Sequence, residues 1–338
     1  MRWTSRDRSV TLADVADRAG VSSMTVSKVL RDTGSISPQT RERVLAAVGE
    51  LGYVKNTLAG QLSSRKSTTI GVVIPSVSDV IFAQMLSGIN TVIRPQGLSM
   101  LIAESLFSPS LERDTLSSLL SMQPAGLIIS GGTEKLDDTL SLLEMRRCPL
   151  VSVWDADASF GDRTIGVSHY AAGKMMAEHL LQRGYRQPAY IGSQLHLDVC
   201  ARHRFDGFRR HLEQHGHSLK SVISEDLPRQ SSSGNTLTEQ LIQQHPEVTS
   251  IFYLNDAMAI GGLRWLSDKG YQCPSQIAVA GFNGTSLEQT IQTRLTTLDV
   301  PRSEIGREAA QSIVDLLQGL DAAPDLTIDL TLVQGTTT

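Results

Sequence analysis

The sequence predicts an N-terminal all-α helix-turn-helix head, a short linker, and then an α/β domain of two doubly wound parallel-sheet subdomains. Three observations predict it. The chain has 338 residues, too many for one small core. Apolar residues recur at helical spacing, with glycine stops, between Thr11 and Tyr53. From Ile70 onward, short β-rich apolar runs alternate with amphipathic helical segments.

In the head, Leu12, Val15, Ala16 and Ala19 form a stripe at i, i+3, i+4 and i+7 that Gly20 ends. Ser22 then offers an N-cap ahead of Thr25–Leu30, so the pattern is helix, glycine turn, helix. Ser37-Pro38 supplies N-cap and first turn of a third helix, with Val44, Leu45, Val48 and Leu51 inside it and Gly52 at its end. Three short helices bury little apolar surface, so the head is marginal alone. Asn56–Lys66 is polar apart from Leu58, Ala59 and Leu62, and Gly60 weakens helix there by about 1 kcal/mol relative to alanine. The expected layout is head 1–55, linker 56–68 and body 69–338.

In the body, Ile70–Ile74, Leu98–Ala103, Gly126–Ile129, Leu150–Val153, Ala189–Ile191, Ile251–Leu254 and Ile277–Ala280 read as strands. Phe82–Ile93 and Leu111–Met122 read as helices between the first of them. The number of βαβ units implies two subdomains, one of about 69–166 with 300–325, the other of about 167–299 with 326–338. Ligands of open α/β sheets bind beyond the strand carboxyl ends. That places Pro75-Ser76, Ser130-Gly131, Trp154-Asp155, Gly192-Ser193, Asn255-Asp256 and Phe282-Asn283 around a cleft.

The net charge of −4 is unevenly spread. Residues 1–66 hold 11 lysines and arginines against 6 acids, and the rest hold 20 against 29. A basic head on an acidic body presents one end to a polyanion. The first 25 residues carry seven charges and no apolar run of secretory type, which predicts a cytosolic protein with no membrane partner. Cys148, Cys200 and Cys273 are odd in number and far apart, which predicts reduced thiols and neither disulfide nor zinc site.

A recognition helix enters the major groove with its N-terminal residues against base edges. Ser23, Met24, Thr25, Ser27 and Lys28 occupy that surface here, with Ser22 and Thr11 at the helix starts. Thr25 and Ser27 suit phosphate or base contacts, Met24 a thymine methyl and Lys28 a guanine edge. Equally, Thr25 could serve only to cap or pack.

Val10-Thr11-Leu12-Ala13-Asp14-Val15-Ala16, Ala19-Gly20-Val21-Ser22, Thr25-Val26-Ser27-Lys28-Val29-Leu30 and Leu51-Gly52-Tyr53, with Asn56 opening the linker, closely resemble the head of the lactose/galactose repressor (LacI/GalR) family. The resemblance continues through nearly the whole chain. It implies a linker that becomes a hinge helix on operator DNA, and a leucine, here Leu62, wedged into the minor groove to kink the duplex. Read without it, Leu62 could simply pack on Leu58.

The resemblance also implies a periplasmic-binding-protein-like body with an effector cleft. Arg204, three residues before Gly207-Phe208, matches the arginine that holds effector hydroxyls or carboxylate, and Asn255 matches the cleft asparagine. Asp256 is expected to cap the next helix. Asn283 stands where many sugar-binding relatives have aspartate. A neutral amide there removes repulsion toward a carboxylate, so an acid effector is expected. Ile74-Pro75-Ser76, Phe82-Ala83 and Gly88-Ile89 resemble the branch that answers to gluconate and related sugar acids. Trp154 could stack on the ligand or belong to the core. Ser76, Asp198 and Arg202 are further wall candidates, Arg202 alternatively a solvated helix residue.

Other signals carry less. His211, His215 and His217 lie on a polar helix without the glutamate of a zinc hydrolase, so a solvated surface is expected and no metal. Ser63-x-x-Lys66 falls in the linker without partner motifs, and Ser130-Gly131-Gly132-Thr133 lacks the lysine of a P-loop. No catalytic constellation or cofactor motif is present. The expected protein is a repressor controlled by a small metabolite, the alternatives being a neutral sugar or nucleobase effector, corepression, or a transport protein. The last conflicts with the head. Reading a pseudo-palindrome needs a homodimer, and the polar end at Gln334–Thr338 offers no leucine heptad for a tetramer.

Overall fold

The computed structural model describes residues 10–54, 67–285 and 294–338. The chain divides into two compact units, Met1–Lys66 and Ser67–Thr338.

The first unit holds α1 (Leu12–Ala19), α2 (Ser23–Leu30) and α3 (Pro38–Leu51). Thr11 begins α1 with a capping box: its hydroxyl accepts the Asp14 N–H while Asp14 takes the Thr11 N–H at 2.7 Å. Ser22 caps α2 through the Thr25 N–H at 3.2 Å, and Ser37 caps α3. Gly20 and Gly52 end α1 and α3 in the left-handed conformation that glycine adopts without strain. Val15, Ala16, Val26, Val29, Val44 and Ala47 form the small core that the apolar spacing implies.

The second unit is built on two sheets. In chain order its elements are β1 (Thr69–Ile74), α4 (Val80–Ile93), β2 (Ser99–Glu104), α5 (Pro109–Ser121), β3 (Gly126–Ser130), α6 (Asp137–Glu144), β4 (Leu150–Asp155) and β5 (Arg163–Val167). Then come α7 (His169–Gln182), β6 (Pro188–Ser193), α8 (Val199–Gln214), β7 (Lys220–Ser224), α9 (Ser231–Gln244), β8 (Ser250–Tyr253), α10 (Asp256–Asp268) and β9 (Ala278–Asn283). The chain finishes with β10 (Thr296–Asp299), α11 (Arg302–Leu317), β11 (Leu326–Thr327) and β12 (Thr331–Val333). One sheet runs β11-β5-β4-β3-β1-β2 and the other β12-β10-β9-β8-β6-β7. All pairs are parallel except β10 with β12, so the second sheet departs from the all-parallel expectation at one edge. Central strands β3, β4, β6, β8 and β9 are buried throughout because helices cover both faces.

The chain crosses between sheets after β5, after β10 and after β11. This corrects the last expected boundary. Leu326 and Thr327 pair with Ile165 and Gly166 and belong to the first sheet, and the Ile328 N–H still bonds the Gly166 carbonyl. The crossing therefore falls after Thr327 rather than before Leu326.

Gly173 and Gly207 set the approach of α7 to α8. A Cβ on Gly173 would strike the Arg204 carbonyl, and one on Gly207 the Tyr170 carbonyl. This backbone contact brings the first turn of α7 against the middle of α8. No helix among the described residues is long and apolar enough to cross a membrane.

Candidate functional site

The carboxyl ends of both sheets face one cleft. Asp79 follows β1, Phe107 follows β2, Gly131 and Gly132 follow β3, and Trp154 lies in the last turn of β4. From the second sheet come Asp198, Arg229, Asn255 and Asn283, with Cys200 and Arg204 on α8. The free space among these side chains is about 30 Å³, room for one or two waters, so the cleft is closed on its own residues.

An aromatic ladder crosses it. Phe82 and Trp154 of the first subdomain lie 5.8 Å apart between ring centroids, Trp154 and His169 5.6 Å, and His169 and Phe282 5.7 Å. Arg204 completes the ladder, its guanidinium carbon 3.7 Å from the Phe282 centroid. Trp154 and Asn283 hold positive φ values of 83° and 110°. Neither is glycine, so two strand ends carry backbone strain where the ligand face lies.

Arg204 is 4% exposed. Its Nη2 donates to the Leu254 carbonyl at 2.9 Å and its Nη1 to Nδ1 of His169 at 3.1 Å, while Nε has no partner in the protein. His169 is fully buried, and that burial, together with the adjacent Arg204 charge, pushes its pKa down to about 3. The imidazole is therefore neutral and available as acceptor. Arg229 pairs with Asp198 at 2.6 Å, donates to the Gln194 carbonyl at 2.7 Å, lies over the Phe107 ring, and also leaves Nε unpartnered. Burial alone would raise the Asp198 carboxyl, but Arg229 and Arg204 outweigh it and hold it below the ordinary range. Asp79, the other acid on the wall, makes no ion pair among the described residues, and burial raises its carboxyl. The cleft thus holds two guanidiniums, Arg229 in an ion pair with Asp198 and Arg204 in none among the described residues.

Asn255 both lines the cleft and caps α10, its Oδ1 accepting the Met258 N–H at 2.9 Å while Nδ2 donates to the Arg229 carbonyl. Asp256 is not the cap. It accepts from the Thr285 and Thr297 hydroxyls and the Thr285 N–H, tying β9 and β10 to α10. Asn283 is 7% exposed with Oδ1 unpartnered, and its carbonyl is held by Arg302.

Two expected wall residues lie elsewhere. Ser76 turns outward to Ser78 at 2.8 Å and Glu104 at 3.3 Å. Arg202 bonds the His196 carbonyl and Glu134, because residues two apart on a helix point to different sides and Arg204 takes the cleft face. Ser193, at an expected cleft end, donates instead to the Leu227 carbonyl. His211 is buried on α8 rather than solvated. Sequence reading missed His169, Asp79, Phe107 and Arg229. Asp79 had a signal, since its side chain caps α4, but Arg229 follows β7, whose alternating pattern was too short to mark a strand.

In the head, Ser22, Ser23, Met24 and Lys28 are exposed on α2, Met24 at 68%, while Thr25 and Ser27 are half-buried. Thr25 bonds Ser22, hydroxyl to hydroxyl at 2.9 Å, so it contributes to the cap as well as to this face. Val26 and Val29 pack inward, which turns Met24 and Lys28 outward together. Asn56 and Leu62 lie outside the described residues.

A helix-turn-helix head followed by a two-sheet domain with a polar cleft defines a ligand-responsive transcriptional regulator. Residues 11–56 match the model for bacterial regulatory proteins of the lacI family, and residues 177–338 match a periplasmic binding protein-like domain. The chain is 37% identical to the HTH-type transcriptional regulator GntR of Pseudomonas aeruginosa over 95% of its length and 94% of that protein's. A LacI-family regulator from Silicibacter pomeroyi superposes with a TM-score of 0.91 at 36% identity, covering 97% of this chain and 99% of that one. The lac repressor dimer bound to operator and the anti-inducer ONPF gives 0.84 at 26% identity, covering 98% and 99%. The chain belongs to the lacI family of bacterial regulatory proteins.

Proposed function

We propose that this regulator is a cytoplasmic repressor that binds a pseudo-palindromic operator as a homodimer and responds to a sugar acid, such as gluconate or a ketogluconate, in the cleft. The observation that carries the effector class is the state of Arg204: Arg229 is matched by Asp198, Arg204 makes no ion pair among the described residues, and an amide stands at Asn283. A ligand carboxylate is a natural partner for it, and the unpartnered Nε atoms of both arginines are donors suited to that group. The likeness to the P. aeruginosa GntR regulator supports the same branch. Trp154, Asn255 and Asn283 then meet the C–H face and hydroxyls, and no enzymatic chemistry or cofactor is invoked.

Repression follows as linkage. The cleft is closed on its own side chains, so a six-carbon acid enters only as the two sheets part or the arginines rearrange. The acid thereby favours one subdomain arrangement, and its differential affinity shifts the operator-competent population. On DNA, Thr11, Ser22, Ser23, Met24, Thr25, Ser27 and Lys28 form the major-groove face, with Asn56 and Leu62 acting in the hinge.

Calorimetric titration with gluconate, 2-ketogluconate and neutral hexoses tests the effector class. Acids should bind selectively, and Arg204→Ala should abolish binding with an unchanged circular dichroism spectrum. Equal binding of glucose would sink the reading. Operator gel shifts with and without the acid distinguish induction from corepression.

A further inference from the structure

Behind Trp154, at the rim of the cleft, the first subdomain turns a buried acid toward the second. Asp155 is 2% exposed. Its Oδ1 accepts the Asp157 N–H at 3.0 Å, and the Cys200 thiol lies against the same carboxylate. Its Oδ2 faces Nδ1 of His203, on α8, at 4.0 Å, too far for a hydrogen bond. Among the described residues, no lysine or arginine pairs with Asp155. Nδ1 of His203 is itself shielded from solvent and has no hydrogen-bond partner. Asp157 adds a second carboxylate, one oxygen of which takes the Tyr170 N–H at 3.1 Å. Donor atoms of all three residues lie within 4.8 Å of one another.

We propose that Asp155, Asp157 and His203 form a divalent-cation site that ties the two subdomains together at the mouth of the cleft. Asp155 is a buried carboxylate without a lysine or arginine beside it, which is costly, while Asp157 stands exposed next to it and supplies a second carboxylate. A divalent ion offsets the buried acid, takes the exposed one as a further ligand and uses the free imidazole nitrogen. One nitrogen and two oxygen donors, with water completing the shell, suit Zn²⁺ or Mn²⁺ better than the all-oxygen preference of Ca²⁺ or Mg²⁺. Bonds of about 2.1 Å ask the three donors to close by roughly an ångström. His203 stands half-exposed on its helix and has room to turn.

The site has a regulatory consequence. Asp155 and Asp157 belong to the first subdomain and His203 to the second, so a bound ion stabilises only the arrangement in which they meet. Cation and cleft ligand are therefore coupled, and each changes the other's affinity by the same factor.

Isothermal titration of the chelator-treated full-length protein with Zn²⁺, and separately with Mn²⁺, tests the site. The expected result is one ion per chain for at least one of the two, with affinity at least tenfold weaker in His203→Ala and in Asp157→Asn. Both variants change rim side chains and should keep the ion-free melting temperature. The His215→Ala/His217→Ala double variant should bind as the parent does, which separates this site from the surface histidines. Co²⁺ should give a visible absorption band that His203→Ala removes. Absence of saturable binding of either titrated ion, or binding that survives both His203→Ala and Asp157→Asn, would overturn the proposal.

Discussion

Nδ1 of His169 accepts its hydrogen bond from Nη1 of Arg204, and this single contact fixes the tautomer of one residue and the aim of the other. His169 titrates near 3 in the fold and near 6.5 when unfolded, because burial and the Arg204 charge disfavour imidazolium. Between those values the unfolded chain binds the extra proton, so this group's stabilising contribution is complete above about pH 6.5 and is lost as pH falls toward 3. The slope approaches about 1.4 kcal/mol per pH unit for one such group. Urea midpoints from pH 7.5 to 4.5 should fall on acidification, and His169→Gln should flatten that fall; an equal slope in the variant would exclude His169 as its source.

The contact depends on two glycines remote from the ligand face. Since a Cβ on Gly207 meets the Tyr170 carbonyl, Gly207→Ala must push α7 from α8 and carry His169 off Arg204. Overpacking of this kind costs roughly 1–3 kcal/mol. Thermal melts should show that loss, and calorimetry should show acid affinity falling further than it does for Gly216→Ala, where a Cβ meets nothing within 4 Å but the backbone is left-handed.

How far the fold could be read in advance follows from the kind of signal each part leaves. The head has caps, stripes and glycine stops in their expected places, because helix termini are chosen by a few local residues. Most central strands were legible as apolar runs, since both faces are buried. Interior strands β5 and β10 were not, being short and interrupted by arginine, threonine, glycine or aspartate. Edge strands β7, β11 and β12 were not either, as half-exposed short strands carry little apolar contrast. In the cleft, Arg204, Asn255, Asn283, Trp154 and Asp198 were found, but Arg202 and Ser76 show that proximity in sequence does not fix direction. Arg229 and His169 gain meaning only from what the fold brings beside them.

Arg229 and Asp198 provide a direct measure of charge balance. Removing one member of a buried pair leaves an uncompensated charge, at a cost of about 3–5 kcal/mol, while removing both is far milder. Arg229→Met should therefore destabilise more than Arg229→Met/Asp198→Asn. If the cleft awaits an anion, Asp198→Asn alone should tighten acid binding, because it frees Arg229. A double-mutant cycle followed by urea melts and calorimetry reads both effects.

On the head, Met24 and Lys28 should differ in what they report. Met24→Ala removes an apolar contact with bases and should relax discrimination at one operator position by about 1–3 kcal/mol. Lys28→Ala should act at a guanine if the ammonium reads a base edge. If it meets phosphate, affinity should weaken evenly across sequences and the salt dependence should fall by about one unit of slope. Binding to an operator series at several salt concentrations separates the two roles.

Asn283 offers the sharpest test of why an acid should be preferred. Its side-chain oxygen is buried and unpartnered in the cleft that Phe282 and Arg204 also line, at a strand end whose φ of 110° asparagine and aspartate tolerate better than most residues. Asn283→Asp changes one atom and should leave the sheet intact, as the Arg302 contact is to the backbone carbonyl. The new carboxylate would compete for Arg204 and repel a ligand carboxylate in a desolvated cleft, where such repulsion is weakly screened. Gluconate affinity should fall at least tenfold, about 1.4 kcal/mol, while affinity for a neutral hexose should stay level or rise. An unchanged ratio of acid to neutral binding would mean that the amide at this position does not set the preference, and that selectivity rests with the two arginines alone.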